Sequence, residues 1–194
     1  MAQFKAFVQG VEVNGETVYA IVDGMGNFKA TALRILADNG IDQPQPGHWY
    51  SQQAWLDSFL AISKRIGPAT LFVIGQKIPE NAQFPPALDT IEKALQGIDV
   101  AYHMNHRLSG EVLFNPATGQ MKEGIGHYSF RSTAATKAEM LCNNPYPCEF
   151  DKGIIDAMVR RFKPATSVLA EVVHDDKAPC RNKGADSCTY LVSW

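Results

Sequence analysis

The chain opens on an alternation of apolar and polar residues from Phe4 to Val22, centred on "VNGE". A period of two is the signature of a half-buried strand. Asn14-Gly15 lies where a two-residue hairpin turn belongs, so the pattern predicts strands near 4–13 and 16–22. The period then lengthens. "GMGNFKATALRILADNGI" reads as a helix, with Asn27 as its N-cap, Leu33 and Leu36 on one face and Gly40 closing the end. "PQPGHWY" reads as a loop. Trp55, Phe59, Ile62 and Ile66 fall at spacings of four, three and four, which predicts a helix over 51–66, broken by Gly67-Pro68. Leu71, Ile74 and Ile78 extend a helical spacing, while "TLFVI" taken alone reads equally as strand. Beyond Pro85-Pro86, Leu88, Ile91, Leu95 and Ile98 mark another helix.

After Val100 the texture becomes that of a sheet. "GEVLFNPATGQMKEGIGHYSFRSTA" reads as a hairpin turned by "NPATGQ". Ile154, Ile155, Met158, Val159 and Phe162 predict a helix around 149–162, ended by Pro164. "TSVLAEVV" and "SCTYLVSW" read as strands joined by a loop. The expected plan is α+β: a helical half, about 1–104, packed on a mostly antiparallel sheet half, about 105–194, with one helix crossing it, all in a single ligand-binding domain of 194 residues.

Composition narrows the partners. A net charge of −2 leaves no basic footprint for nucleic acid. No apolar run reaches the roughly 20 residues that span a bilayer, and the first residues do not form a secretory signal. The expectation is a cytoplasmic protein, whose thiols stay reduced.

That bears on the four cysteines, in "CNNPYPC" and "HDDKAPCRNKGADSC". Three lie in loops or at element ends, among polar residues. Zinc takes about four thiolate or imidazole ligands in a tetrahedron, and two close-spaced pairs supply them once the chain folds back. Cys142, Cys148, Cys180, Cys188 and His174 are the candidates, against plain burial and against disulfides. His103 and His106 in "AYHMNHR" sit three apart, a spacing suited to one helical face; they read as hydrogen-bonded histidines at a helix end or, alternatively, as an axial haem ligand. His127, Ser129 and Arg131 alternate on a strand: they read as the polar outer face of a half-buried strand or, alternatively, as one face that suits a carboxylate or propionate. Trp55, Phe59, Phe72, Phe84, Tyr102 and Phe130 are candidate linings for an apolar pocket. No phosphate loop, GxSxG or HExxH motif is present, and no carboxylate pair marks an acid–base couple, so no catalytic residue is assigned. The acidic residues read as solvated helix faces.

The order "NPYPCEFDKGIIDAMVRRF", "VLAEVVH", "PCRNKGADSCTYLVSW" resembles the 4-vinyl-reductase-type domain, across roughly residues 105–194. That domain shares a superfamily with the H-NOX haem sensors and the Golgi transport-particle subunits. The resemblance implies zinc held by Cys148, Cys180 and Cys188, with the fourth ligand among His174, Cys142 and Glu171, because "DDKAP" is an insertion relative to the family. The same superfamily implies a haem alternative, in which His127-x-Ser129-x-Arg131 stands for a Tyr-x-Ser-x-Arg triplet and His103 or His106 for the iron ligand. The function expected is a sensor or carrier with structural zinc and an apolar or aromatic ligand. Its alternatives are a haem-based gas sensor and a tetrapyrrole-processing enzyme or accessory factor. The chain carries no recognisable effector segment, so output is expected through a homodimer or a separate effector protein.

Overall fold

The computed structural model describes residues 3–194. Strand β1 (Val11–Asn14) is followed at once by helix α1 (Gly15–Gly24), not by a hairpin partner. Asn14 is the helix N-cap: its side chain accepts from the Thr17 amide at 2.9 Å. Gly15 is needed for close approach rather than for a turn, since a Cβ there would stand 1.9 Å from the Gln45 carbonyl oxygen. The expected strand over 16–22 is therefore helix, with Val18, Ile21 and Val22 turned into the core.

Helix α2 (Lys29–Asp38) starts beyond a short 3-10 turn that contains Asn27, so Asn27 does not cap it. Its inward residues are Ala32, Ile35 and Leu36, whereas Leu33 is exposed. Strand β2 (Trp49–Ser51) leads into α3 (Gln52–Arg65), which buries Trp55, Phe59 and Ile62. The ambiguous "TLFVI" is helical, within α4 (Ala69–Asn81). Helix α5 (Ile91–Met104) is capped by Thr90 and buries Ile91, Leu95 and Ile98.

Short strands β3 (His106–Leu108) and β4 (Glu111–Val112) complete an antiparallel sheet of order β2-β1-β3-β4. Strands β5 (Phe114–Asn115) and β6 (Gln120–Met121) form a small hairpin across "NPATGQ". The second half of the expected hairpin, β7 (His127–Ala134), pairs instead with β8 (Lys137–Asn143), a strand the sequence pattern did not reveal. Helix α6 (Cys148–Phe162) then crosses to β9 (Glu171–His174) and β10 (Cys188–Ser193), giving a second antiparallel sheet of order β7-β8-β10-β9. The architecture is α+β, as expected.

Helices α4 and α6 are in backbone contact. A Cβ on Gly75 would lie 2.2 Å from the Phe150 oxygen, and one on Gly153 would lie 2.1 Å from the Phe72 oxygen. Only glycine permits that approach. Buried apolar residues run continuously from Val11 to Val192, joining the helical half to the sheet half. No helix among the described residues is long and apolar enough to cross a membrane.

Candidate functional site

Four of the five predicted metal ligands converge. Cys148, His174, Cys180 and Cys188 each present a donor atom within 4.8 Å of all the others. Each sits at the end of an element. Cys148 is the first residue of α6 and His174 the last of β9; Cys180 precedes a 3-10 turn over Arg181–Lys183, and Cys188 opens β10. The "DDKAP" insertion folds into a turn closed by the Ala178 amide on the Asp175 carbonyl (3.2 Å), so it does not separate His174 from Cys180.

The spacing fits an ion. All four cysteines are free. Cys180 Sγ lies 3.7 Å from both Cys148 Sγ and Cys188 Sγ, and the last two are 3.2 Å apart. A tetrahedron of thiolates at zinc's usual bond length has edges of about 3.8 Å. His174 Nε2 is buried without a hydrogen-bond partner among the described residues, which leaves its lone pair available to an ion. The cysteines also sit among positive dipoles and charge. Cys148 lies at a helix N-terminus, which favours a thiolate. The Arg181 amide and Nε donate to Cys188 Sγ at 3.3 and 3.5 Å. The Cys188 thiol is drawn below its ordinary range, first by the hydrogen bond from Cys148 and then by Arg181, while Cys148 is pushed up. Gln3 Nε2 covers Cys148 Sγ at 2.8 Å.

Cys142 is not in this group. It is a buried residue of β8 in register with Cys188, and burial pushes its thiol up. Glu171 is an exposed residue at the start of β9 and is likewise absent from the group.

From the cysteine group a buried polar chain leads inward. Arg181 bonds Asp151, an ion pair 1% and 0% exposed, and also the Asn144 carbonyl and side chain. The Tyr128 hydroxyl donates to the other Asp151 oxygen at 2.6 Å. Most acidic residues were expected on solvated helix faces; Asp151 is an exception, its buried charge made tolerable by Arg181 and Tyr128. Neither partner has a sequence signal: they are 30 and 23 positions away.

Beyond Tyr128 lies a cavity of about 160 Å³ between α1, α4, α5 and α6. Trp55, Phe84 and Tyr102 line it, as the sequence suggested; Tyr146, Phe150 and Ile154 line it too. Phe59, Phe72 and Phe130 do not. Phe59 is locked in an aromatic cluster with Trp55, Tyr146 and Phe150, Phe72 is half-buried on α4 over Gly153, and Phe130 is a half-buried residue of β7.

His106 is the one histidine on the cavity wall. Its Nδ1 donates to the Tyr102 carbonyl at 2.6 Å. Nε2 must then accept, here from the Tyr146 hydroxyl at 2.6 Å, and that oxygen in turn accepts from Gln52 Nε2 at 3.1 Å. Burial, with His103 nearby, lowers the His106 value to about 3, so the ring is neutral at physiological pH. Trp55, another wall, has a buried indole N–H with no partner among the described residues.

The remaining haem candidates are not on this wall. His103 is buried toward Asp99 and His127. His127, Ser129 and Arg131 share one face of β7, but it is the outer one: Ser129 is exposed and Arg131, 72% exposed, pairs with Glu139. Tyr128, between them, points inward instead.

Fold and site together define an α+β domain with a cysteine–histidine group at one sheet edge and an aromatic cavity behind it. Among solved structures, this architecture is similar to that of H-NOX domains. The chain matches an H-NOX protein from S. oneidensis in its Fe(II) state with a TM-score of 0.62 at 12% identity, covering 93% of this chain and 95% of that one. A T. tengcongensis H-NOX variant gives 0.61 at 12% identity over 93% and 96%. An oxygen-binding H-NOX domain related to soluble guanylate cyclases gives 0.61 at 12% identity over 92% and 91%. At that identity the shared property is the fold. No family model matches the chain, and no curated protein sequence does.

Proposed function

We propose that this chain is a small-molecule sensor or carrier domain on the H-NOX fold, with structural zinc at Cys148, His174, Cys180 and Cys188. The observation that carries the reading is the aromatic-walled cavity lined by Trp55, whose indole N–H has no partner among the described residues. Such cavities are mostly apolar, with few oriented polar groups. A volume near 160 Å³ suits a single ring, since an engineered apolar cavity of about 150 Å³ takes up benzene. The Trp55 N–H adds a preference for one hydrogen-bond acceptor. The zinc fixes the β9–β10 loop to the start of α6, and Arg181, Asp151 and Tyr128 connect that corner to the cavity wall. The C-terminal resemblance to 4-vinyl-reductase-type domains points the same way.

Haem is the second reading, favoured by the fold, because related structures concern haem distortion and oxygen complexes. The interior tests it. The Arg131 face is turned to solvent, and both His106 nitrogens are engaged.

The experiment is a thermal-shift and calorimetric titration with phenol, benzene and haemin. Phenol is expected to bind more tightly than benzene, and Trp55→Phe to remove about 1 kcal/mol of that preference. Absence of binding by either ring would overturn the proposal. A stoichiometric haemin complex with a ligated-iron absorption spectrum would put the haem reading in its place.

A further inference from the structure

A second cluster of metal-ligating side chains lies on the other side of α5, away from both the cavity and the cysteines. Asp99 and His103 are four apart on α5, so their side chains share one face. His127, the first residue of β7, closes the group, and all three donor atoms lie within 4.8 Å of one another. We propose that Asp99, His103 and His127 form a second metal site, for a divalent first-row ion such as Zn²⁺, with one coordination position left open.

The argument rests on how each ring is held. His103 Nδ1 lies 2.9 Å from the Asp99 backbone carbonyl. A carbonyl only accepts, so Nδ1 carries the hydrogen and Nε2 carries the lone pair. The same Nδ1 edge stands 3.6 Å from Asp99 Oδ1 and the ring lies 5.0 Å from that of His127, while Nε2, in a side chain 0% exposed, is buried with no partner among the described residues and becomes the ligand atom if the ring turns it to the cation. His127 shows the mirror arrangement. Its Nε2 faces the Glu123 carboxylate at 3.0 Å and its Nδ1 faces Asp99 Oδ2 at 2.9 Å. With Nε2–H given to Glu123, Nδ1 is the free ligand atom. Each histidine therefore has an outer partner that fixes its tautomer and leaves one lone pair for the cation, the usual support of a metal-bound imidazole. Asp99 is oriented in the same way, since its Oδ1 accepts the Tyr128 amide at 2.9 Å.

Two imidazoles and one carboxylate suit a borderline ion, and three protein ligands leave room for water or a small exogenous ligand. Without the cation, His127 must hold a hydrogen on both nitrogens to satisfy both carboxylates; the metal replaces the one on Nδ1. The half-buried His127 and exposed Glu123 give the ion a path from solvent. Bound there, it would tie α5 to β7, the elements that carry the cavity residues Tyr102 and Tyr128.

The test is calorimetric titration of Zn²⁺ into full-length protein whose cysteine group is already saturated with zinc. A second equivalent is expected to bind. His127→Gln should weaken it at least about tenfold, and Glu123→Gln by about tenfold or more, as loss of an outer-sphere partner does. Glu123 lies at the surface, so its variant should keep the parent's melting temperature and separates loss of the ion from loss of the fold. No second equivalent, or a second equivalent indifferent to His127→Gln, would overturn the assignment. The proposal does not rest on the cysteine group: cobalt substitution reports thiolate ligation by its charge-transfer band, so the two sites succeed or fail separately.

Discussion

Acidification should destabilise this protein through His106, and the size of the effect follows from its surroundings. The ring is fully buried, its Nδ1–H satisfied by the Tyr102 carbonyl and its Nε2 by the Tyr146 hydroxyl. Protonating Nε2 would bury a positive charge and set N–H against O–H. In the unfolded chain the imidazole takes its proton at the ordinary 6.5, and in the folded one only near 3, chiefly because burial penalises the charged form. Between those values the unfolded state binds more protons, so stability is complete above about pH 6.5 and is lost as the pH falls toward 3. At pH 5 the linkage relation gives a loss of about 2 kcal/mol relative to pH 8. With a urea dependence of about 2 kcal/mol per molar, the midpoint should move down by roughly 1 M. Other groups also titrate in this window, so the quantity to measure is a difference. Urea midpoints of the parent and of His106→Gln would be compared from pH 8 to pH 5. The variant should be less stable at pH 8 but should lose about 2 kcal/mol less on acidification. Parallel curves for the two proteins would show that His106 does not hold the buried, neutral position described.

Three further outcomes are expected. A strong chelator should lower the melting temperature of the parent by several degrees and leave Cys188→Ser, already lowered, unmoved; equal melting curves for the parent with and without chelator would remove the zinc site. Asp151→Asn should cost about 3–5 kcal/mol by leaving Arg181 buried and uncompensated, and the double variant Asp151→Leu/Arg181→Met should regain much of that in denaturant titrations. Gly153→Ala should cost about 1–3 kcal/mol, because its methyl group meets backbone that can yield only by parting two helices; Gly184→Ala, with open space around it, would report only the strain of its φ of +88°.

What the sequence reveals divides along a physical line. Where burial is one-sided and periodic, as at Trp55, Phe59 and Ile62, the pattern names the helix and its inner face. The alternation before Val22 misleads because Asn-Gly suits a hairpin and a helix start equally. Asn caps through its side chain, and glycine admits the Gln45 carbonyl, a contact from a distant loop. Strand β8 escapes notice because "KAEMLCN" favours helix locally and is made a strand by pairing with β7 and β10. The convergence of Cys148, His174, Cys180 and Cys188 was legible, since thiols among polar residues at element ends have little reason to be core; that Cys142 is core was not, because its burial comes from strand pairing. The triplet His127, Ser129, Arg131 was placed correctly on one face. Which face meets the interior is decided by Tyr128, an assignment that alternation cannot make.

The glycine contacts between α4 and α6 have a mechanical corollary. Two helices touching backbone to backbone, with Gly75 set against the Phe150 carbonyl and Gly153 against that of Phe72, have no side-chain cushion to compress at those points and so behave as one stiff plate. Any breathing that admits or releases an occupant must then come from the opposite side, where α5 meets β7 through hydrogen bonds rather than interlocked main chain.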